Sequence, residues 1–332
     1  MNILSFKKIF ITGGLGFIGH NLIKFFVKSK YKGEIVVFDN NSINNNNSLS
    51  YIKNIDNVNL ILGELLNFEK LCDAMLNSEL VIHLAANSDI SKGVYNPSVD
   101  FENTVVATQN VLNSMLKNNV SNIIYPSGSG VYGDISHLSI CEDYGPLIPV
   151  SHYGASKLSA ESMISAFVHM HDLKALIFRF ANVIGPFQTH GVAYDFIRKI
   201  IKDNSILNVL GNGTQLKSYI HVDDIISGIF LACKKSRRKI DFYNLSTDDS
   251  ISVSQIAKLV IEKMGTKTEI NYGNTNYGWK GDVPKISISS NKILKQGWRR
   301  NYTTREAMET AIDNMLEEIS YKKDYMFNTG NK

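Results

Sequence analysis

The feature that most constrains this chain lies near its start. A short apolar run, Lys8-Ile9-Phe10-Ile11, leads without a spacer into Thr12-Gly13-Gly14-Leu15-Gly16-Phe17-Ile18-Gly19, and apolar residues then recur at three- and four-residue spacing. A strand that must turn at once into a helix uses glycine for three separate reasons. Gly13 permits the tight turn, Gly16 lets backbone approach a bound group, and Gly19 lets the helix pack closely on the strand. The first amides of such a helix have no internal partner and, with the aligned peptide dipoles, favour an anion such as a pyrophosphate. A glycine turn alone also fits a plain strand-to-helix connection. The second apolar run, 34–38, is followed by Asp39, twenty residues beyond Gly19. A carboxylate there can accept hydrogen bonds from both ribose hydroxyls of a dinucleotide, and it repels a 2′-phosphate; no arginine follows within several positions to welcome one. Together these signals point to NAD rather than NADP.

The pattern then repeats. Apolar runs at 58–62, 80–83, 122–125 and 175–178 alternate with amphipathic stretches at 17–28, 68–76, 100–117 and 151–171. Such alternation predicts βαβ units, and right-handed crossovers then give an α/β fold: a doubly wound parallel (Rossmann) sheet with its ligand crevice at the carboxyl ends of the strands. After Asn182 the pattern loosens, with helices predicted at 194–203, 222–233, 253–264 and 304–319 and one strand, 242–245, expected to return to the main sheet. The expected division is an NAD-binding domain over 1–182, with a returning strand near 241–246, and a smaller, mainly substrate-binding α/β domain over 183–330. The Asn-rich stretch 40–47 reads as an exposed loop. No internal repeat is present.

Composition narrows the class. With 332 residues, 44% of them hydrophobic, the chain can bury one large core or two unequal ones. Its three cysteines are far apart without paired spacing, so neither a disulfide framework nor a zinc site is expected. The first apolar run is broken by glycines and no eighteen-residue apolar stretch follows, so neither a signal peptide nor a membrane span is expected. A cytoplasmic protein follows from both. The net charge of +4 is mild, and the basic cluster at 234–239 falls where a helix should end, where positive charge suits the helix dipole. No nucleic-acid, membrane or metal partner is expected.

Tyr153-Gly154-Ala155-Ser156-Lys157 places a phenol and an ammonium one helical turn apart on one face. A cation so placed can lower the tyrosine pKa toward neutrality, which makes the phenol a usable proton donor and acceptor at a sugar hydroxyl. The spacing arises by chance in a chain of this size, although Tyr153 is the only one of the fifteen tyrosines with Lys four residues on. His83 and His221 read as histidines that pin strand ends, because neither stands in a cluster suited to acid–base work.

The order of the motifs says more than any one of them. TGGLGFIG at 12–19, Asp39, His83-Leu84-Ala85-Ala86, Asn103, the segment Ser127-Gly128-Ser129-Gly130-Val131-Tyr132-Gly133 and the Tyr153/Lys157 pair together resemble the extended short-chain dehydrogenase/reductase family, above all its UDP-glucose 4-epimerase-like members. Arg179-Phe180-Ala181-Asn182, Tyr219 to Asp224 and Gly281-Asp282-Val283-Pro284 extend the resemblance over nearly the whole chain. It implies that Phe17 and Ile18 offer amides to the cofactor diphosphate, that Asp39 and Asn40 meet the ribose, that Glu64, where Asp is usual, and Leu65 flank the adenine, and that Leu84, Ala85, Ala86 and Asn103 line the dinucleotide path. Lys157 would also bond the nicotinamide ribose. Asn182 would contact the substrate, and Lys217 and Lys280 stand where relatives carry diphosphate-binding arginines; lysine keeps the charge without the bidentate fork.

The implied reaction is 4-epimerisation of a UDP-hexose with NAD retained, Tyr153 being the acid and base. Relatives that dehydrate or decarboxylate need further carboxylates beside the hydroxyl residue, and 128–130 holds none. The other readings are a 4-keto-sugar reductase, which usually prefers NADP, and a non-catalytic NAD-binding sensor, which need not keep Tyr153 and Lys157. Relatives place Ser or Thr where this chain has Gly128, so Ser127 is expected to bond the sugar 4-oxygen, with Ser129 in support. A homodimer is implied through the helices at 100–117 and 151–171.

Overall fold

The apolar runs become seven strands of one parallel sheet, in a computed structural model that describes residues 1–43, 46–87, 90, 92–135, 139–279, 283, 285 and 287–329, without the side chains of 46 and 320–329. The strands are β1 (Lys8–Thr12), β2 (Glu34–Asp39), β3 (Val58–Leu62), β4 (Leu80–His83), β5 (Asn122–Gly128), β6 (Lys174–Phe180) and β7 (Ile240–Leu245), and they lie side by side as β7-β6-β5-β4-β1-β2-β3. Every pairing is parallel, so a crossover over one face must join each strand to the next. The order reverses between β1 and β4, which opens a crevice at their carboxyl ends.

Helices cover both faces. On one side α1 (Phe17–Lys28) and α2 (Asn46–Lys53) share a core with Ile9, Ile11 and Val37; on the other, α3 (Phe68–Ala74), α4 (Ala107–Lys117) and α5 (His152–His171) pack over Phe10, Val36 and Ile177. A second core gathers Ile197, Ile256, Val260, Met308 and Ile312 from α6 (Val192–Lys202), α8 (Val253–Met264) and α9 (Thr304–Thr329). Local signals fix α8: Ser252 and Gln255 exchange reciprocal capping bonds at its start, and Gly265 closes it with φ of 63°. Between α6 and α8, α7 (Val222–Lys235) returns to the first core, where Phe25 and Phe26 of α1 meet Phe230. It delivers β7 in register with β6, Ile240 opposite Ala175. The returning strand lies where the sequence put it.

Two expectations change. The helix expected over 100–117 begins at Ser98 and widens into a π-helical turn over Phe101–Val106 before α4. The Asn-rich loop is shorter than expected, because α2 starts at Asn46; Ile52, fully buried, draws that segment onto the core. No described helix is long and apolar enough to cross a membrane.

Candidate active site

The glycine turn is built around close backbone approaches. Gly13 has φ of 70°, and a Cβ on it would lie 2.7 Å from the Ala85 amide nitrogen, so the turn and the loop after β4 touch through bare backbone. Thr12 ties them: its carbonyl accepts from the Leu84 amide (3.1 Å) and its Oγ1 from the Ala85 amide (3.2 Å). Gly19 makes room for the turn itself rather than for the strand, since its Cβ would fall 2.5 Å from Gly14 Cα. Gly16 caps α1 without a side-chain bond, which leaves the first amides of the helix, those of Phe17 and Ile18 among them, uncapped by any side chain. Asp39 closes β2, with Oδ2 accepting from the Leu15 amide (3.0 Å) and Oδ1 from the Asn41 amide (2.7 Å). Each oxygen keeps further acceptor capacity. Burial raises the Asp39 pKa, the two amides oppose that rise, and nearby Glu64 adds to it. Asn40 Nδ2 bonds Glu64 (3.1 Å) and the Leu65 carbonyl accepts from Asn110 (3.0 Å), so both residues reached from the sequence border one corner. Asn103 bonds back to the Val99 carbonyl, within its own turn. Uncapped helix amides, a positioned carboxylate and a glycine cradle suit a dinucleotide.

The second half of the site hangs on α5. Ser151 caps it by accepting from the Gly154 amide (3.1 Å), which fixes the first turn where Tyr153 stands. Gly154 and Gly130 let helix and loop meet closely, for a Cβ on Gly154 would lie 2.5 Å from the Gly130 carbonyl oxygen. The Tyr153 ring covers 128–130; a Cβ on Gly128 would meet its hydroxyl at 3.8 Å. One turn on, Lys157 is buried, its Nζ donating to the Pro126 carbonyl (3.0 Å) and lying 4.8 Å from the Tyr125 ring and 5.8 Å from that of Tyr153. The expected lowering of the tyrosine pKa is not what this arrangement gives. Burial, with a contribution from the Asp100 carboxylate, pushes Tyr153 up to about 12, and burial brings Lys157 down to about 8. A cation turned toward a carbonyl does not offset the loss of water around the phenol.

Ser127 and Gly128 are consecutive in β5, so their side-chain directions alternate, and the Gly128 direction is the one that faces Tyr153. The Ser127 hydroxyl is buried without a hydrogen-bond partner. Ser129 opens the 3-10 turn Ser129–Tyr132 under the tyrosine ring. The two histidines take structural places: His83, whose pKa burial lowers to about 3, joins Thr12 Oγ1 (2.7 Å) to Thr108 Oγ1 (3.1 Å), and His221 Nδ1 accepts from the Asp223 amide at the start of α7. Asn182 donates to the Ser218 carbonyl (3.1 Å), and Lys217 Nζ to that of Val283. Lys280, with Gly281, Asp282 and Pro284, lies outside the described residues. Among the described residues no group of acidic, histidine or cysteine side chains is placed to hold a metal ion.

Residues 9–246 match the family model for NAD dependent epimerases/dehydratases. The chain belongs to that family. A putative UDP-glucose 4-epimerase of Methanocaldococcus jannaschii is 28% identical over 92% of this chain and 97% of its own length. A dTDP-D-glucose 4,6-dehydratase of Dictyostelium discoideum is 30% identical over 78% of this chain and 62% of its own. Among solved structures, a UDP-galactose 4-epimerase superposes with a TM-score of 0.84 at 32% identity, covering 94% of this chain and 99% of the other.

Within this family member, three buried features escape a reading by motif. Arg179 donates from β6 to Glu161 on α5 through two bonds (3.1 and 2.7 Å) and to the Tyr132 hydroxyl (3.0 Å), which itself donates to Asn244 Oδ1 of β7 (2.8 Å). Asp100 is buried beside the start of α5, held by Asn87. Tyr125 lies fully buried below Lys157. Arg179 was visible as part of a motif but its partners were not, since strand order alone brings them together.

Proposed function

We propose that the chain is a nucleotide-sugar 4-epimerase acting on a UDP-hexose by transient oxidation at C4. The seat of Tyr153 carries this reading: its hydroxyl lies against Gly128 at the carboxyl end of β5, one turn from Lys157, over a 127–130 segment without a carboxylate. NAD, when bound, supplies the acceptor that takes the C4 hydride and gives it back. Gly13, Gly16, Phe17, Ile18 and Gly19 would hold its diphosphate, Asp39 and Asn40 its ribose, Glu64 and Leu65 its adenine, and Leu84, Ala85, Ala86, Asn103 and Lys157 its nicotinamide half. Tyr153 removes the proton from the 4-hydroxyl and returns one to the 4-oxygen after the ketone has turned over. Asn182, Lys217 and Lys280 are assigned to the substrate, the lysines to its diphosphate.

Dehydration, the activity named for the Dictyostelium relative, requires acid and base at neighbouring carbons, and the loop beneath Tyr153 offers none. A one-way 4-keto reductase would draw on an exchangeable reduced cofactor, most often NADPH, which Asp39 disfavours. The names of the archaeal relative and of the 32% identical structure support the epimerase reading. Purified protein incubated with UDP-galactose and no added reductant is expected to form UDP-glucose, and Tyr153→Phe to lose on the order of 10²–10⁴-fold in turnover while keeping its NAD affinity. Reduction of a 4-keto sugar only when NADPH is added, or NAD binding without turnover of any nucleotide sugar, would replace the proposal with one of its rivals.

A further inference from the structure

Gly128 ends β5 with φ of −158° and ψ of 163°, extended backbone that any residue adopts. Apart from its two chain neighbours, the only described atoms within 4 Å of a Cβ built there are the Tyr153 hydroxyl oxygen at 3.8 Å and Tyr153 Cε1 at 3.9 Å, both at ordinary contact distance. Gly130 borders the same edge of the ring further down, where its Cβ would meet Tyr153 Cδ1 at 4.0 Å and Gly154 Cα at 3.6 Å. Other glycines around this loop have no such freedom. A Cβ on Gly154 would lie 2.5 Å from the Gly130 carbonyl oxygen, and Gly133 has φ of 78° with the Ile148 carbonyl in the way of any side chain. Those two are demanded by the fold, whereas Gly128 is not. A glycine that neither turn nor packing requires weakens a strand, and its use is to let another group approach closely. Among the described residues outside its chain neighbours, only the edge of Tyr153 comes near.

The reaction itself needs room at this point. Epimerisation takes hydride from one face of C4 and returns it to the other, while the cofactor and Tyr153 stay in place. The sugar ring must therefore turn over, which keeps C4 at the tyrosine and exchanges the groups on either side of it. C3 carries a hydroxyl; C5 carries the larger hydroxymethyl group of C6. Each flank of the Tyr153 hydroxyl has to take C3 in one orientation and C5 with C6 in the other. Gly128 lines one flank. The segment 127–130 brings no charge there, and the Lys157 ammonium is committed to the Pro126 carbonyl, so the space suits a neutral hydroxymethyl group rather than a carboxylate.

We propose that Gly128 is a specificity-determining residue: by withholding a side chain beside the Tyr153 hydroxyl, it makes room for the C6 hydroxymethyl group in one of the two orientations that a hexose must adopt. The proposal rests on the epimerase reading. A pentose has no C6 and does not use the room.

Gly128→Ala adds one methyl group at a point that backbone and neighbours accept, so the fold is expected to survive. Its kcat/KM for UDP-glucose is expected to fall about 10- to 200-fold relative to that for UDP-xylose, which differs from UDP-glucose in lacking C6, the range for one methylene group in a fitted site. UDP-xylose is read by turnover or, where it only inhibits, by its inhibition constant. A second readout separates orientation from general crowding. UDP-glucose and UDP-galactose present opposite faces of C4, so only one of them brings C6 to Gly128. In competition binding to NADH-loaded protein, which cannot oxidise either sugar, Gly128→Ala is expected to weaken one epimer and spare the other. Equal losses for UDP-glucose and UDP-xylose, no loss for either, or equal weakening of both epimers overturns the proposal and leaves the epimerase reading in place. A wild-type protein that turns over no UDP-hexose overturns the two together. Should Gly128→Ala not fold, Gly130→Ala, on the same ring edge, is judged by the same ratios.

Discussion

At position 128 a side chain would project toward the Tyr153 hydroxyl, to within 3.8 Å at its Cβ, yet the chain carries glycine there and serine on either side. Strand alternation turns Ser127 away from that direction, while Ser129 enters the turn that the tyrosine ring covers. We propose on that ground that Ser129, the second of the two serines expected at the sugar 4-oxygen, contributes more there than Ser127. Ser129→Ala is expected to lower turnover by about ten- to a thousand-fold, the range for losing one transition-state hydrogen bond, and Ser127→Ala by less; the reverse order in steady-state assays would restore the first assignment. At Asp39, replacement by Ala is expected to weaken NAD and narrow its advantage over NADP in a binding titration, since the repulsion of a 2′-phosphate goes with the carboxylate. These residues differ in how far sequence could place them. Tyr153 and Lys157 are legible because four residues on a helix span one turn. Asp100 is not, because only tertiary contact brings Asn87 to it.

Helix α5 must hold Tyr153 over a loop that bears no bulk, and its anchor is the Arg179–Glu161 pair, whose side chains are 5% and 3% exposed. The pair joins the middle of α5 to β6, and through Tyr132 and Asn244 to β7. Glu161→Ala leaves an arginine buried without its carboxylate and is expected to cost about 3–5 kcal/mol in urea unfolding; a loss below about 1 kcal/mol, the scale of an exposed pair, would show that the guanidinium finds water. Elements were most legible where local signals agree with the packing. α8 has the predicted bounds because apolar period, capping box and closing glycine coincide, and α1 because its apolar period begins at the glycine turn. The π-helical turn left no signature, since its apolar spacing also fits an ordinary helix, and the polar composition of 40–47 hid the start of a helix whose apolar residues, Leu49 and Ile52, come later.

Across the whole molecule, buried histidines give a pH dependence with a definite sign. His20 is packed between the rings of Tyr51 and Phe187 with neither ring nitrogen bonded, and burial lowers its pKa from about 6.5 to about 4; burial also lowers His83 and His221. Between those values the unfolded chain binds more protons than the folded one, so stability falls as pH drops from about 6.5 toward 4. Thermal unfolding at pH 7.5, 6 and 5 is expected to show that decline, and His20→Leu to flatten it; parallel curves for both proteins would remove His20 from the account. A dimer mass by light scattering at micromolar concentration is expected if the helices α4 and α5 pair as the resemblance implies, and a monomer mass would count against it. The late return of β7 has a consequence for how the chain is made. β6, buried along all but its first residue and apolar there except for Arg179, leaves the ribosome long before the strand that covers its edge. At about 5–20 residues per second, the stretch from Phe180 to Leu245 takes about 3–13 s to synthesise. Throughout that interval the nascent sheet ends in an open, sticky strand, so a chaperone that shields such edges during translation should matter more to the yield of this protein than to one whose last two strands are joined by a short crossover.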